Sequence, residues 1–324
     1  MNKGFRYIRT LDEPAVEKMG VRPKAAEAVA DEEDDVKAVT FVAREPIFRM
    51  SNLVLPERTL EQLRTLKARF ECHELVYGEW GLSATDPAGR HTAFNLYGPP
   101  GTGKTMCVEA IANELGKKII DVSYAEIESK YVGDTGKNIA AAFAAAREQG
   151  AILFFDEADS ILGRRMTSVT QAADQAVNVA RAVMLKQLDA FDGIVAFATN
   201  LARNFDSAFV RRIPIHIAIP LPGRDGRRRI AETLLPKAVP FRSEVDFDAL
   251  AAETEGFSGG DLKNVVVNSV CALASSANRG WEPEAVNAVF REQVEWTRHA
   301  KREVGCGGVV VEEDVKGGVL EHVG

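Results

Sequence analysis

Thr92-Ala-Phe-Asn-Leu-Tyr-Gly-Pro-Pro-Gly-Thr-Gly-Lys-Thr-Met106 decides the architecture of this chain. A short apolar run, TAFNLY, leads straight into Gly98-Pro-Pro-Gly-Thr-Gly-Lys-Thr105, which matches G-x-x-x-x-G-K-[ST]. A helical face of Met106, Val108, Ile111 and Leu115 follows. Strand, glycine-rich loop and helix in that order are the context in which the pattern binds phosphate. Across Gly98, Pro99, Pro100, Gly101, Thr102, Gly103, Lys104, Thr105 and Met106 the glycines let the backbone bend tightly. Successive N–H groups, with the helix N-terminus behind them, then point at the β- and γ-phosphates of a nucleotide. Lys104 adds a positive charge there. The Thr105 hydroxyl is placed to ligate Mg²⁺.

Downstream, Ala151-Ile-Leu-Phe-Phe155 reads as a buried strand that ends in Asp156-Glu157. Paired carboxylates at the end of an apolar strand, beside a phosphate loop, suit two different tasks. Asp156 joins the Mg²⁺ shell directly or through water, and Glu157 polarises the attacking water as general base. Ile194 to Thr199 is a further apolar strand, ending in Asn200, whose amide suits orienting that water or contacting the γ-phosphate; asparagine is also a common turn former. With Ile119 to Ser123 and Ile213 to Ile219, five short apolar runs alternate with longer helical stretches. This predicts an α/β fold with a parallel five-stranded sheet, helices on both faces, and ligands at the strands' carboxyl ends.

Upstream, Leu60, Leu63, Leu66 and Phe70 recur at helical spacing and predict an amphipathic helix covering the sheet. Residues 1–45 show no sustained periodicity and carry the acidic run Asp31 to Asp35, so a flexible, solvated segment is expected there. Beyond Pro222 the strand signal stops and helices dominate, over Arg227 to Leu235, Phe247 to Glu253, Gly260 to Ala277 and Pro283 to Ala300. The expected division is therefore 1–45 as N-terminal segment, 46–222 as α/β domain, 223–304 as all-α lid and 305–324 as tail.

A net charge of −7 argues against a large nucleic-acid footprint, which needs a clustered basic surface. No apolar stretch approaches the roughly 20 residues of a membrane helix. The N-terminus has no apolar core of a secretory signal, so the cytoplasm is expected. Cys72, Cys107, Cys271 and Cys306 lie far apart without metal-ligand spacing and read as reduced thiols.

Together, GPPGTGKT, FFDEAD and FATN resemble the AAA family of ATPases, the resemblance running from about Leu53 to Ala300. It implies ATP and Mg²⁺ as cofactors, ATP hydrolysis as the reaction, and a homo-oligomeric ring, usually a hexamer. Asn200 matches the family's sensor-1 position, and Asn204 to Pro222 resembles the region that supplies arginine fingers to a neighbouring subunit. Arg212 matches the first finger. The usual second position falls among Pro214 to His216, where there is no arginine, so either Arg211 substitutes or one finger suffices. Gly256-Phe-Ser-Gly-Gly-Asp261 resembles the lid turn near adenine and ribose, with Gly260 at the nucleotide; the same residues also read as a plain helix start capped by Ser258. Glu128-Ser-Lys-Tyr-Val-Gly133 resembles pore loop 1, whose Lys130, Tyr131 and Val132 would grip a protein substrate, and Gly163-Arg-Arg165 is a second pore candidate.

Two subgroups share these features: the microtubule-severing and ESCRT-disassembling ATPases, and the pachytene-checkpoint ATPase that remodels HORMA proteins, against which Gly260 argues. Phe257-Ser-Gly-Gly-Asp-Leu262 superficially resembles the signature of ABC transporter ATPases, but it lies after the paired carboxylates instead of before them. No NKxD-type motif reads guanine. A nucleotide-gated scaffold and a DNA-directed AAA-like ATPase remain as other readings of the same motifs, with a protein substrate or adaptor the expected partner.

Overall fold

The computed structural model describes residues 40–85, 92–123, 127, 134–163, 172–200, 205–275 and 281–303. In chain order the large domain contains α1 (Glu57–Glu71), β1 (Thr92–Tyr97), α2 (Lys104–Glu114), β2 (Ile119–Ser123), α3 (Asp134–Gln149) and β3 (Ile152–Asp156). It continues with a one-turn α4 (Asp159–Leu162), α5 (Ala172–Ala190), β4 (Ile194–Thr199), α6 (Ser207–Arg212) and β5 (Ile215–Ala218). All strand pairs are parallel, in the order β2-β3-β4-β1-β5. That order sets the ends of β3, β4 and β1 side by side, which brings Asp156, Asn200 and the phosphate loop to one edge of the sheet.

The strands are apolar along their length because both faces are covered, as parallel sheets require. Leu153, Phe155, Val195 and Phe197 pack against Phe143 of α3 and Met184 and Leu188 of α5. On the opposite face Phe94, Leu96, Phe154 and Ala196 pack against Leu63 and Leu66 of α1 and Val108 and Ile111 of α2. The period of two in the strands thus meets the period of 3.6 in the helices. Leu60 and Phe70 of α1 are only partly buried against the same cluster.

In the large domain three stretches differ from the sequence expectation. The fifth strand, expected over Ile213 to Ile219, covers only Ile215–Ala218. Ile213 still donates its N–H to Phe209 at the end of α6, and Pro214 has no N–H to give. The third strand is shifted by one residue, because Asp156 remains in register with Ser123. Residues 40–45, expected to be flexible, are held against the sheet. Phe41 is buried, and Arg44 and Ile119 exchange both backbone hydrogen bonds at 2.9 Å in an antiparallel bridge. This covers the free edge of β2. The Arg44 guanidinium then bonds Glu109 Oε1 at 2.7 Å and also reaches Asp121, while Glu109 Oε2 accepts from Ile47 N at 2.7 Å. The remaining N-terminal residues and the 305–324 tail lie outside the described residues.

The lid is formed by α7 (Arg224–Leu234), α8 (Phe247–Glu253), α9 (Gly259–Ser275) and α10 (Pro283–Glu303) around Leu250, Phe257, Leu262, Val266 and Phe290. Its first helix starts three residues earlier than expected, directly after Gly223. The buried Arg227 donates to Ala251 O at 3.0 and 2.8 Å and to Pro222 O at 3.0 Å, fastening α7 to α8 and to the end of the large domain.

Candidate active site

Gly98 leaves β1 at φ 154°, and a Cβ there would stand 2.1 Å from Ile219 O. The end of β5 thus leaves room for glycine only, and the loop starts at a fixed point. The Lys104 ammonium turns back into the loop and donates to Gly98 O at 2.9 Å, Pro99 O at 3.0 Å and Asn200 Oδ1 at 2.8 Å. Its side chain is buried, which lowers its pKa, and Asp156 and Asp159 oppose that shift. The ammonium's hydrogen-bond acceptors are all neutral oxygens, and a phosphate would supply a counter-charge in direct contact.

Beneath it, Thr105 Oγ1 donates to Asp156 Oδ2 at 3.0 Å. Two cis ligands on an octahedral Mg²⁺ with bonds of about 2.1 Å lie about 3.0 Å apart, so this pair fits that ion with little movement. Among the described residues no group of three or more His, Cys, Asp or Glu is placed to hold a metal. Phosphate oxygens and water would therefore fill the remaining positions, as is usual for Mg²⁺. Asp156 Oδ1 accepts from Glu157 N at 2.9 Å. Glu157 has φ 51°, the left-handed region that a non-glycine residue enters at a cost of about 1–2 kcal/mol. Strain of this kind collects at sites where a side chain must be aimed.

Asp159 was missed as a functional candidate although it closes the FFDEAD run. Its Oδ1 accepts from the Thr199 hydroxyl and, at 3.0 Å, from Asn200 N. It thereby fixes the end of β4 beside Lys104. The signal was a third acid three residues after Asp156.

The resulting cleft has a volume of 480 Å³, within the range of small-molecule sites. Pro100, Gly101, Thr102, Gly103, Lys104, Thr105, Met106, Asp156, Glu157, Asn200 and Gly260 all line it, whereas Gly98 and Pro99 do not and meet the site through their carbonyls, which accept from Lys104. The sequence did not indicate Leu53 to Leu55, which close one side, or Ile230, Thr233 and Leu234 of α7 and Lys263 of α9, which close the lid side. Cys107 also faces the cleft; burial pushes its thiol up to about 12, so it stays protonated and unreactive.

The lid meets the loop at Gly101. Gly260 N donates to Gly101 O at 3.0 Å, and a Cβ on Gly101 would stand 2.6 Å from Ser258 Oγ. Ser258 cannot rotate away freely, since its hydroxyl bonds Asp261 Oδ2 at 2.8 Å and accepts from Asp261 N at 3.2 Å. Burial raises the Asp261 pKa, but the Lys301 ammonium at 2.6 Å and Ser258 outweigh it and hold the carboxyl below its usual range. Gly101→Ala is therefore expected to lower the melting temperature more than Gly116→Ala does. Both glycines are left-handed, at φ 73° and 62°, but Gly116 has nothing within 4 Å of a built Cβ. The left-handed penalty of about 1–2 kcal/mol is common to both, and the collision with Ser258 is added only at Gly101. Equal melting temperatures for the two variants would contradict the tight lid contact.

Arg212 does not line its own chain's cleft. Its Nε and Nη2 donate to Asp189 Oδ1 and Oδ2 at 2.6 and 2.8 Å, and Nη1 to Ala208 O at 3.2 Å. The bond to Asp189 raises its pKa further. Arg211, beside it at the end of α6, is exposed. Lys130, Tyr131, Val132, Arg164 and Arg165 lie outside the described residues, while Gly163 forms an antiparallel bridge with Phe205.

Comparison with known proteins agrees with this geometry. Residues 94–221 match the ATPase family associated with various cellular activities (AAA), and residues 244–273 match the AAA+ lid domain. The chain is 33% identical to Katanin p60 ATPase-containing subunit A1 of Strongylocentrotus purpuratus over 61% of its own length and 40% of the relative's. It is 39% identical to Spastin of Anopheles gambiae over 52% of this chain and 21% of that one. Against the Proteasome-activating nucleotidase of Methanothermobacter thermautotrophicus it is 36% identical over 62% of this chain and 49% of that one. The chain thus spans less than half the length of these relatives. With a phosphate loop, paired carboxylates and lid turn converging on one cleft, the chain carries an AAA ATPase domain followed by an AAA+ lid domain.

Proposed function

We propose that the chain acts as a subunit of a homo-oligomeric ring, a hexamer, that hydrolyses Mg-ATP to remodel a protein substrate. The observation that carries the catalytic part is the 3.0 Å Thr105–Asp156 pair set beside a buried Lys104 that Asn200 holds. In this reading the loop N–H groups and Lys104 bind the β- and γ-phosphates, and Asn200 orients the attacking water. Glu157 takes the proton from that water as its oxygen bonds to the γ-phosphorus and the bridging oxygen leaves with ADP. Mg²⁺, held by Thr105 and Asp156, would neutralise charge on the phosphates during transfer. Arg212 reaches a neighbour's cleft, with Arg211 beside it as the other candidate finger.

Support for protein remodelling comes from the relatives, whose names describe katanin, spastin and proteasome-activating proteins, and from the SKYVG stretch containing Tyr131. The N-terminal segment, pore and lid are the candidate regions for engaging a protein substrate or adaptor, in a cytoplasmic setting. No helix among the described residues is long and apolar enough to cross a membrane.

Steady-state phosphate release with Mg²⁺ and with EDTA, over a range of protein concentrations, tests the enzyme. Activity should require Mg²⁺, and turnover per subunit should rise with concentration because the site is completed by a neighbour. Nucleotide binding without Mg²⁺-dependent turnover would instead favour a nucleotide-gated scaffold. Remodelling has a separate check in Tyr131→Ala. ATP hydrolysis should stay within a few-fold of the parent while disassembly of a trapped substrate is lost, and Tyr131→Phe should retain both, because the ring face supplies the grip. Full remodelling by Tyr131→Ala would remove the threading mechanism.

A further inference from the structure

We propose that Lys263 is a nucleotide-contacting residue, a cation that the lid directs at the phosphate chain; this rests on the nucleotide reading of the cleft. Position is the first argument. Gly259, Gly260 and Lys263 are the α9 residues that line the cleft, and at spacings of three and four they share one helix face. The other face, with Leu262, Val265 and Val266, is buried in the lid core. A long side chain on a helix leans toward the helix N-terminus. A Lys263 stem that follows this tendency points back toward Gly260, whose N–H already meets Gly101 O of the phosphate loop at 3.0 Å.

Charge is the second argument. Lys263 makes no hydrogen bond or ion pair among the described residues. The nearest acid in sequence, Asp261, is occupied by Lys301 at 2.6 Å and by Ser258 N and Oγ, each at 2.8 Å. The lid thus presents an unneutralised ammonium to the cleft, one turn along α9 from the Gly260–Gly101 contact. The wall from α7, by contrast, offers Ile230, Thr233 and Leu234, mostly apolar surface suited to a base. A phosphate oxygen is the ligand atom that such an ammonium would pair with.

Calorimetric titration of Mg-ADP into the full chain and into Lys263→Met and Lys263→Arg tests this. Methionine keeps the apolar stem and removes only the charge. Lys263→Met should bind ADP about tenfold more weakly, the loss expected for an exposed charge-assisted hydrogen bond. Lys263→Arg should stay within about threefold of the parent, and the gap between parent and methionine variant should narrow as salt is added. Parental affinity in Lys263→Met overturns the assignment, as does an equal loss in both variants, which would mark a packing role. A parent chain that does not bind ADP at all would overturn the nucleotide site itself, and is distinguished by being seen before any substitution.

Discussion

Glu157→Gln is expected to bind ATP with near-parental affinity and to turn it over about 10² to 10⁴-fold more slowly, the usual contribution of a positioned general base. The substitution keeps size and shape and removes only the basicity. What binds the nucleotide is untouched. Lys104 keeps its bonds to Gly98 O, Pro99 O and Asn200 Oδ1, and Thr105 keeps Asp156 at 3.0 Å. Glu157 is tied into this set by its backbone, through N–H to Asp156 Oδ1, and glutamine retains that bond. The left-handed φ of 51° is a backbone property that glutamine shares with glutamate, so folding should be unaffected. Lys104→Ala provides the contrast, because it removes the cation from the loop and should lose binding or productive positioning as well. Phosphate release and ADP titration on both variants separate the two roles. A Glu157→Gln enzyme with near-parental kcat would show that another group accepts the proton.

What was legible in the sequence was what local pattern determines. β1, β2 and β4 follow their apolar runs residue for residue, because a strand buried on both faces has to be apolar throughout and the neighbouring glycines, asparagines and charges bound it. The phosphate loop was legible because its chemistry occupies eight consecutive residues. Where the reading slipped, the cause was a neighbour in space. β5 is cut short by Pro214 and by the pull of Ile213 into the last turn of α6, and Arg44 docks on Ile119 from 75 residues away without any periodic signal of its own. Lys263 and Ile230 reach the cleft only through the packing of the lid against the loop, and Leu53 only through the segment ahead of α1. Lys263 had a partial signal, since it lies three residues after Gly260 on a helix whose other face is apolar.

Asp189 had none, and it shapes the second large effect, that of Arg212. Arg212→Ala is expected to lower kcat by about 10³ to 10⁵, the range known for a finger stabilising charge at a transferring phosphate. Nucleotide affinity should change little, since Arg212 is absent from its own chain's cleft. In the isolated chain the guanidinium is already forked onto Asp189, at 2.6 and 2.8 Å, with 32% of the arginine and 49% of the aspartate side chain exposed. An ion pair so accessible to water is worth only about 0–1 kcal/mol, so it can orient the finger and still release it to a neighbour's phosphate at small cost. The distinguishing result is complementation. Arg212→Ala and Glu157→Gln assemblies should each be nearly inactive. Mixed rings should recover activity at interfaces where an intact Glu157 site meets an intact Arg212, because finger and base then come from different chains. The measurement is phosphate release across mixing ratios, with co-assembly shown by cross-linking. Mixtures that co-assemble yet stay strictly additive and inactive would place Arg212 in its own chain's structure, held by Asp189, and leave the neighbour's site without it.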